Sequence, residues 1–146
     1  MADELAVLVT VTGRDEEGSR VTLSTRGTLM DIPDGFMLRY EETSPDDLWA
    51  TQTLVECRGG GVTIIRAGSM VSTIVYMENE TFVSEYGTPL GQFTLRIFTT
   101  DVKARRRGAM GHVRLAYQVN LSSDLSPSGE MEMRWLDIRF KPCGSA

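Results

Sequence analysis

The chain has 146 residues, 41% of them hydrophobic and 24% charged, with a formal net charge of −5. That is the length of one ordinary soluble domain able to fold without disulfide or metal staples. The acidic balance argues against nucleic acid and anionic membranes as general partners, and no apolar run approaches the ~20 residues needed to cross a bilayer as a helix.

The dominant period is two. Leu5, Val7, Val9 and Val11 alternate with Ala6, Leu8, Thr10 and Thr12, and Val21, Leu23 and Thr25 form a second run. Gly13 to Ser19 reads as the polar tip between them. Gly27 to Gly35 reads as a longer connection, because Pro33-Asp34-Gly35 suits a tight turn. Phe36, Leu38 and Tyr40 open a third run, and Glu41 to Asp47 is an acidic link with room for a helical turn. Trp49, Thr51, Thr53, Val55 and Cys57 share one side of a fourth run. Arg58-Gly59-Gly60-Gly61 is then a hairpin turn that glycine makes easily.

Val62 to Arg66 follows, then the β-branched run Met70 to Met77 and a charged tip, Glu78-Asn79-Glu80. Residues 81–100 read as a hairpin around Gly87-Thr88-Pro89-Leu90-Gly91. Asp101 to Gly111 reads as a basic loop. In the next run Val113, Leu115, Tyr117, Val119 and Leu121 face one way. Ser122 to Gly129 is polar, and Met131, Met133 and Trp135 begin the last run, with a phase change suggesting a bulge near Leu136-Asp137-Ile138.

No stretch carries a sustained helical period. The pattern predicts an all-β single domain over 1–146, with an ordered core over about 4–141. Sequential hairpins imply an antiparallel meander, and closure removes the exposed edges of so long a sheet. The expected fold is a β-barrel of about eight to ten strands with little or no helix.

Chemical motifs are sparse. Cys57 and Cys143 fit no metal spacing and suggest a reducing compartment. The acidic start, Met1-Ala2-Asp3-Glu4, has no signal-peptide pattern, so a cytoplasmic location is expected. His112, the single histidine, makes no multi-histidine metal site. No phosphate loop, dinucleotide fingerprint or nucleophile-and-base pair is visible, so neither a cofactor nor an enzymatic activity is predicted.

Arg66 is in phase with Val62 and Ile64. A guanidinium on that face needs a carboxylate, with Glu42, Glu56 and Glu85 as candidates, or a ligand's anionic group. Tyr40, Tyr86, Thr99 and Tyr117 alternate in phase with apolar residues. In a packed barrel they satisfy backbone groups or one another; in a hollow one they and Arg66 orient a ligand. Lys103, Arg105, Arg106 and Arg107 form the basic cluster, a candidate anion or partner contact.

Tyr40-Glu41-Glu42, Ile65-Arg66-Ala67-Gly68, Tyr86-Gly87-Thr88-Pro89-Leu90-Gly91, Thr99-Thr100 and Leu115-Ala116-Tyr117 occur in a telling order. Over nearly its whole length the chain resembles the YwiB-like bacterial β-barrel proteins, a domain-of-unknown-function family. Leu90 stands where that family often has an aromatic residue. The resemblance implies a calycin-like (lipocalin-like) barrel and no established activity. The Gly-x-Trp signature of lipocalins proper is absent. The expected function is binding a small, partly apolar and possibly anionic molecule in the barrel. The alternative is a structural or macromolecule-interaction barrel with a packed interior and the basic residues on its rim. The oligomeric state is left open.

Overall fold

A computed structural model of the chain describes residues 4–42, 51–68, 71–88, 91–123 and 126–143, without the side chains of 86–88, 126–128 and 130. Ten strands follow one another: β1 (Leu5–Asp15), β2 (Arg20–Ile32), β3 (Gly35–Glu42), β4 (Thr51–Arg58), β5 (Gly61–Ala67), β6 (Ser72–Tyr76), β7 (Thr81–Thr88), β8 (Gly91–Arg107), β9 (Met110–Ser123) and β10 (Ser126–Pro142). There is no helix among the described residues. The suggested helical turn near 44–47 and the start of the fourth run at Trp49 lie outside them.

All ten strands join one antiparallel sheet, in the order β6-β5-β4-β3-β2-β1-β10-β9-β8-β7. The first and last strands pair in the middle, Val9 opposite Phe140 and Val11 opposite Ile138. Every sequence neighbour is therefore a sheet neighbour except β6 and β7, which lie at the two edges of the order. The sheet curls until these edges approach. Asn79 donates its backbone N–H to the Thr99 carbonyl at 2.7 Å, and Thr99 donates to Glu80 at 3.2 Å, so the β6–β7 turn is stitched to β8. The barrel is nearly closed, which shields most of the edges that so many strands would otherwise expose.

Alternation explains the core. Val7, Val9, Leu29, Leu38, Val55, Ile64, Ile97, Val113 and Ile138 are essentially inaccessible, and their strand neighbours point outward. Phe36 and Phe140 pack at 5.6 Å toward one end. Beyond them, Arg106 is ion-paired with Asp31.

Several local expectations are corrected. Gly27 is not in a connection: β2 runs through it to Ile32, leaving Pro33 and Asp34 as the turn. A Cβ at Gly27 would stand 2.6 Å from the Arg39 carbonyl and 2.9 Å from Val9 Cγ2, so glycine allows close approach inside the wall. The basic segment is not a loop: β8 continues to Arg107, and β9 begins after Gly108 and Ala109. Val102 and Ala104 pair with Leu115 and Val113, carrying the strand alternation through the charges. The polar link after β9 is shorter than its composition suggests, since β10 starts at Ser126. The register of β10 is unbroken at Leu136–Ile138; Leu136, Ile138 and Phe140 share the inward phase, which turns Trp135 outward. A bulge lies instead in β8 between Thr99 and Asp101, where the extra residue, Thr100, donates its hydroxyl to the Ala116 carbonyl at 3.0 Å.

Candidate functional site

Where β3 runs out and β4 begins, the inward row changes from apolar to polar. Tyr40 pairs with Thr53, and Thr53 pairs with Arg66 on β5. Across the barrel Thr99 pairs with Tyr117. The Tyr117 ring packs on Tyr76 of β6 at a centroid distance of 5.0 Å. Arg66 unites these groups, because its charge acts on the phenols of Tyr40, Tyr76 and Tyr117 together. Arg134 acts on Tyr76 and Tyr117 from β10.

The described ion pair of Arg66 is with Glu42, at 3.9 Å and with both side chains about one-third exposed. That identifies Glu42 among the expected carboxylates. At that distance it is a charge contact rather than a hydrogen bond, and a guanidinium has five donors to place. Arg134 is held more closely, by Glu132 at 3.0 Å.

Burial, reinforced by the negative charge of Glu42, raises the Tyr40 pKa well above the ordinary phenol value. Burial does the same for Tyr76, with Tyr117 beside it adding to the effect, and burial also raises Tyr117. All three phenols are therefore neutral hydrogen-bonding groups at physiological pH.

Three interior hydroxyls stand out. Tyr40 is 2% exposed and Thr53 and Thr99 are fully buried. The Tyr40 hydroxyl and the Thr53 and Thr99 Oγ1 atoms have no hydrogen-bond partner among the described residues. Glu42 lies beside the Tyr40 hydroxyl, close enough to raise its pKa through charge and a weak hydrogen-bonding contribution, but short of a well-formed hydrogen bond. Buried polar groups are ordinarily satisfied, so these three hydroxyls are the feature of the interior that calls for a physical account. A cleft of about 290 Å³ reaches Tyr117 and Arg134 past Gly13 and Leu136.

Of the expected interior residues, Tyr40, Arg66, Thr99 and Tyr117 thus come together, and the side chain of Tyr86 lies outside the described residues. Thr53, Tyr76 and Arg134 were not singled out from the sequence. Thr53 had a signal, its phase with Val55 and Cys57; Tyr76 and Arg134 acquire their places only through barrel closure and register.

The basic cluster divides. Lys103, Arg105 and Arg107 are exposed on β8. Arg106 points the other way, pairs with Asp31 and donates Nε–H to the Gly108 carbonyl at 2.7 Å, so it is a strut. An open groove of about 370 Å³ separates Lys103 and Arg105 from Arg58 and the Gly59–Gly61 turn. His112 sits half-buried within β9, between Arg105 and Arg139. No group of three or more His, Cys, Asp or Glu is placed to hold a metal among the described residues. Cys57 and Cys143 are free thiols, and burial pushes the Cys57 pKa up to about 12.

A family described as a domain of unknown function, DUF1934, matches residues 7–134. The chain belongs to the DUF1934 family. The crystal structure of the ywiB protein from Bacillus subtilis is similar, with a TM-score of 0.73 at 16% identity, over 99% of this chain and 94% of that one. At that identity the likeness concerns the fold: this DUF1934 chain and the ywiB protein share a barrel. None of the curated proteins matches the chain in sequence. The polar interior of the DUF1934 barrel must therefore be read from its own residues.

Proposed function

We propose that this DUF1934 barrel is a binding module for a small, partly apolar molecule carrying a carboxylate or phosphate group. The observation that carries the reading is the set of buried hydroxyls on Tyr40, Thr53 and Thr99 that lack a well-formed hydrogen bond among the described residues, beside the loosely paired Arg66. Leaving a buried hydroxyl unsatisfied costs about 1–3 kcal/mol. A ligand that accepts from these hydroxyls and from Arg66 recovers that cost. Ligand sites have this composition, apolar walls with a few convergent polar groups. Leu136 and the Tyr117 ring, which line the cleft that reaches this end of the barrel, supply the apolar part. Arg66 suits the anionic end, because a guanidinium can meet a carboxylate or phosphate with two parallel hydrogen bonds.

Native mass spectrometry of the protein isolated under gentle conditions tests the reading. The expected result is a discrete mass excess that disappears on denaturation and is lost in Arg66→Ala and reduced in Tyr117→Phe. A mass equal to the bare chain, together with no change in thermal midpoint across a panel of aliphatic and aromatic carboxylates and phosphates, refutes it.

A further inference from the structure

The outer wall of the barrel carries a charge pattern that the chain's acidic total conceals. Lys103, Arg105 and Arg107 project outward from β8 at alternate positions. Register places Lys103 beside Arg114 of β9, and Arg105 beside His112. His112 leads to Arg139 on β10, and Lys141 lies opposite Leu8 of β1, whose other neighbour is Arg26 of β2. At the other end of the face, one outward row beyond Lys103 and Arg114, Trp135 is opposite Arg14, which is opposite Arg20. All nine of these lysines and arginines are exposed.

Among the described residues two acids point outward within these five strands, Asp101 beside Ala116 and Asp137 beside Arg114, while Glu16 in the β1–β2 turn accepts the Met133 N–H at 2.7 Å at the edge of the face. Asp137 is already engaged, 3.3 Å from Arg139 and 3.9 Å from Arg114. At its margin Glu4 pairs with Arg39 at 3.5 Å. Nine of the 15 Lys and Arg thus meet two of the 20 Asp and Glu, a formal +7; the remaining six against 18 give −12, which restores the total of −5. Five adjacent strands at ~4.8 Å spacing make this surface about 19 Å wide, and alternate residues along a strand repeat every ~6.8 Å.

We propose that this β8–β9–β10–β1–β2 face binds single-stranded nucleic acid, by its phosphate backbone and without strong sequence preference. Seven of the nine cations are arginines, the side chain that best matches phosphate oxygens. The wall is the outside of a barrel, with no helix among the described residues to enter a duplex groove, so a flexible single strand lies along it. Two shallow grooves of about 440 and 430 Å³ run over the face, one beside Arg14, Arg114 and Trp135, the other beside Met110, His112 and Arg139. Trp135 presents an indole there, with the Arg14 guanidinium 5.5 Å from its centroid. Bases stack on such aromatic surfaces irrespective of sequence, and arginine adds cation–π attraction. The expectation against nucleic acid rested on net charge; the relevant quantity is its segregation, which concentrates field on one side.

Fluorescence anisotropy with a labelled 15-nucleotide uridine oligomer tests the assignment on the full chain. With about five phosphates engaged, the slope of log K against log salt is ~−3.5, a loss of roughly 100-fold between 50 and 200 mM KCl. Reversing Lys103, Arg105 and Arg139 to Glu removes three contacts and makes the slope shallower by about 2. Gln52→Glu, exposed on β4 and off this face, changes affinity less than about twofold on the same reasoning. The reversed residues are exposed, so the thermal midpoint of each variant should match the parent within a few degrees and excludes misfolding as the cause. The proposal is overturned by no binding at 25 mM KCl, by equal loss in Gln52→Glu, or by polyglutamate or anionic phospholipid vesicles binding as tightly as the oligomer at equal salt.

Discussion

Replacing Thr53 by valine tests the interior most finely. Thr53 is completely buried, lies between Tyr40 and Arg66 in the strand register, and offers its hydroxyl to no described group. Valine keeps the β-branched shape and β-propensity while removing the polar atom. If no ligand is bound, the substitution abolishes a desolvation cost of about 1–3 kcal/mol. In a domain of this size each kcal/mol moves the thermal midpoint by about 3–4 °C, so ligand-free Thr53→Val should melt several degrees higher than the parent. The comparison requires protein stripped by unfolding in urea and refolding, followed by equilibrium urea titration. Before stripping, the order should narrow or reverse, because bound ligand stabilises the parent by mass action and the variant has lost one of its contacts. A stripped Thr53→Val protein less stable than the parent by 1 kcal/mol or more would show that the hydroxyl is satisfied by the fold itself, and the site reading would fall with it.

Other outcomes follow from the same geometry. Gly27→Ala forces a methyl group onto the Arg39 carbonyl and Val9, and should cost about 1–3 kcal/mol in urea unfolding as an overpacked wall residue. Cys57 should resist alkylation at pH 8 in the folded protein, since burial lifts its pKa to about 12, while half-buried Cys143 reacts first; mass mapping of the modified thiol checks this. Alkaline pH should destabilise the fold. Cys57 has a folded pKa above its ordinary 9.0, and Tyr40, Tyr76 and Tyr117 have folded pKa values above 10.0, so the unfolded chain loses these protons first. Their contribution is intact below those ordinary values and declines as pH rises from about 9 toward the folded values. Urea midpoints from pH 8 to 11 should fall, with a shallower fall in Cys57→Val between pH 9 and 11.

The barrel was legible because period-two alternation is a local signal that survives in nearly every strand. Val7, Val9 and Val11, or Val113, Leu115 and Tyr117, announce their inward face without any knowledge of partners. The exceptions are residues whose role is set by neighbours distant in sequence. Gly27 resembled a breaker, yet its lack of a side chain is required by Val9 and the Arg39 carbonyl. Lys103 to Arg107 resembled a loop because charge masked the alternation of Val102, Ala104 and the inward Arg106. The bulge at Thr99–Asp101 leaves no compositional mark, while the apolar pair flanking Asp137 mimics a bulge in a run opened by Met131, Met133 and Trp135, although Leu136, Ile138 and Phe140 keep one unbroken inward phase.

The interior cluster was half legible for the same reason. Phase alone selected Tyr40, Arg66, Thr99 and Tyr117. It did not select Tyr76, which meets Tyr117 only across the barrel, or Arg134, whose charge reaches both rings. The basic face was invisible in net charge, since it is assembled from five strands that are spread from Arg14 to Lys141 in the chain.

A molecule received by the barrel interior would be visible in the protein as isolated. A high-resolution crystal structure of protein purified without denaturation tests for it most directly. The expected result is continuous non-protein density within hydrogen-bonding reach of Tyr40, Thr53 and Arg66, larger than a water molecule. Density limited to side chains that close on one another, with the three hydroxyls bonded to protein atoms, would contradict it.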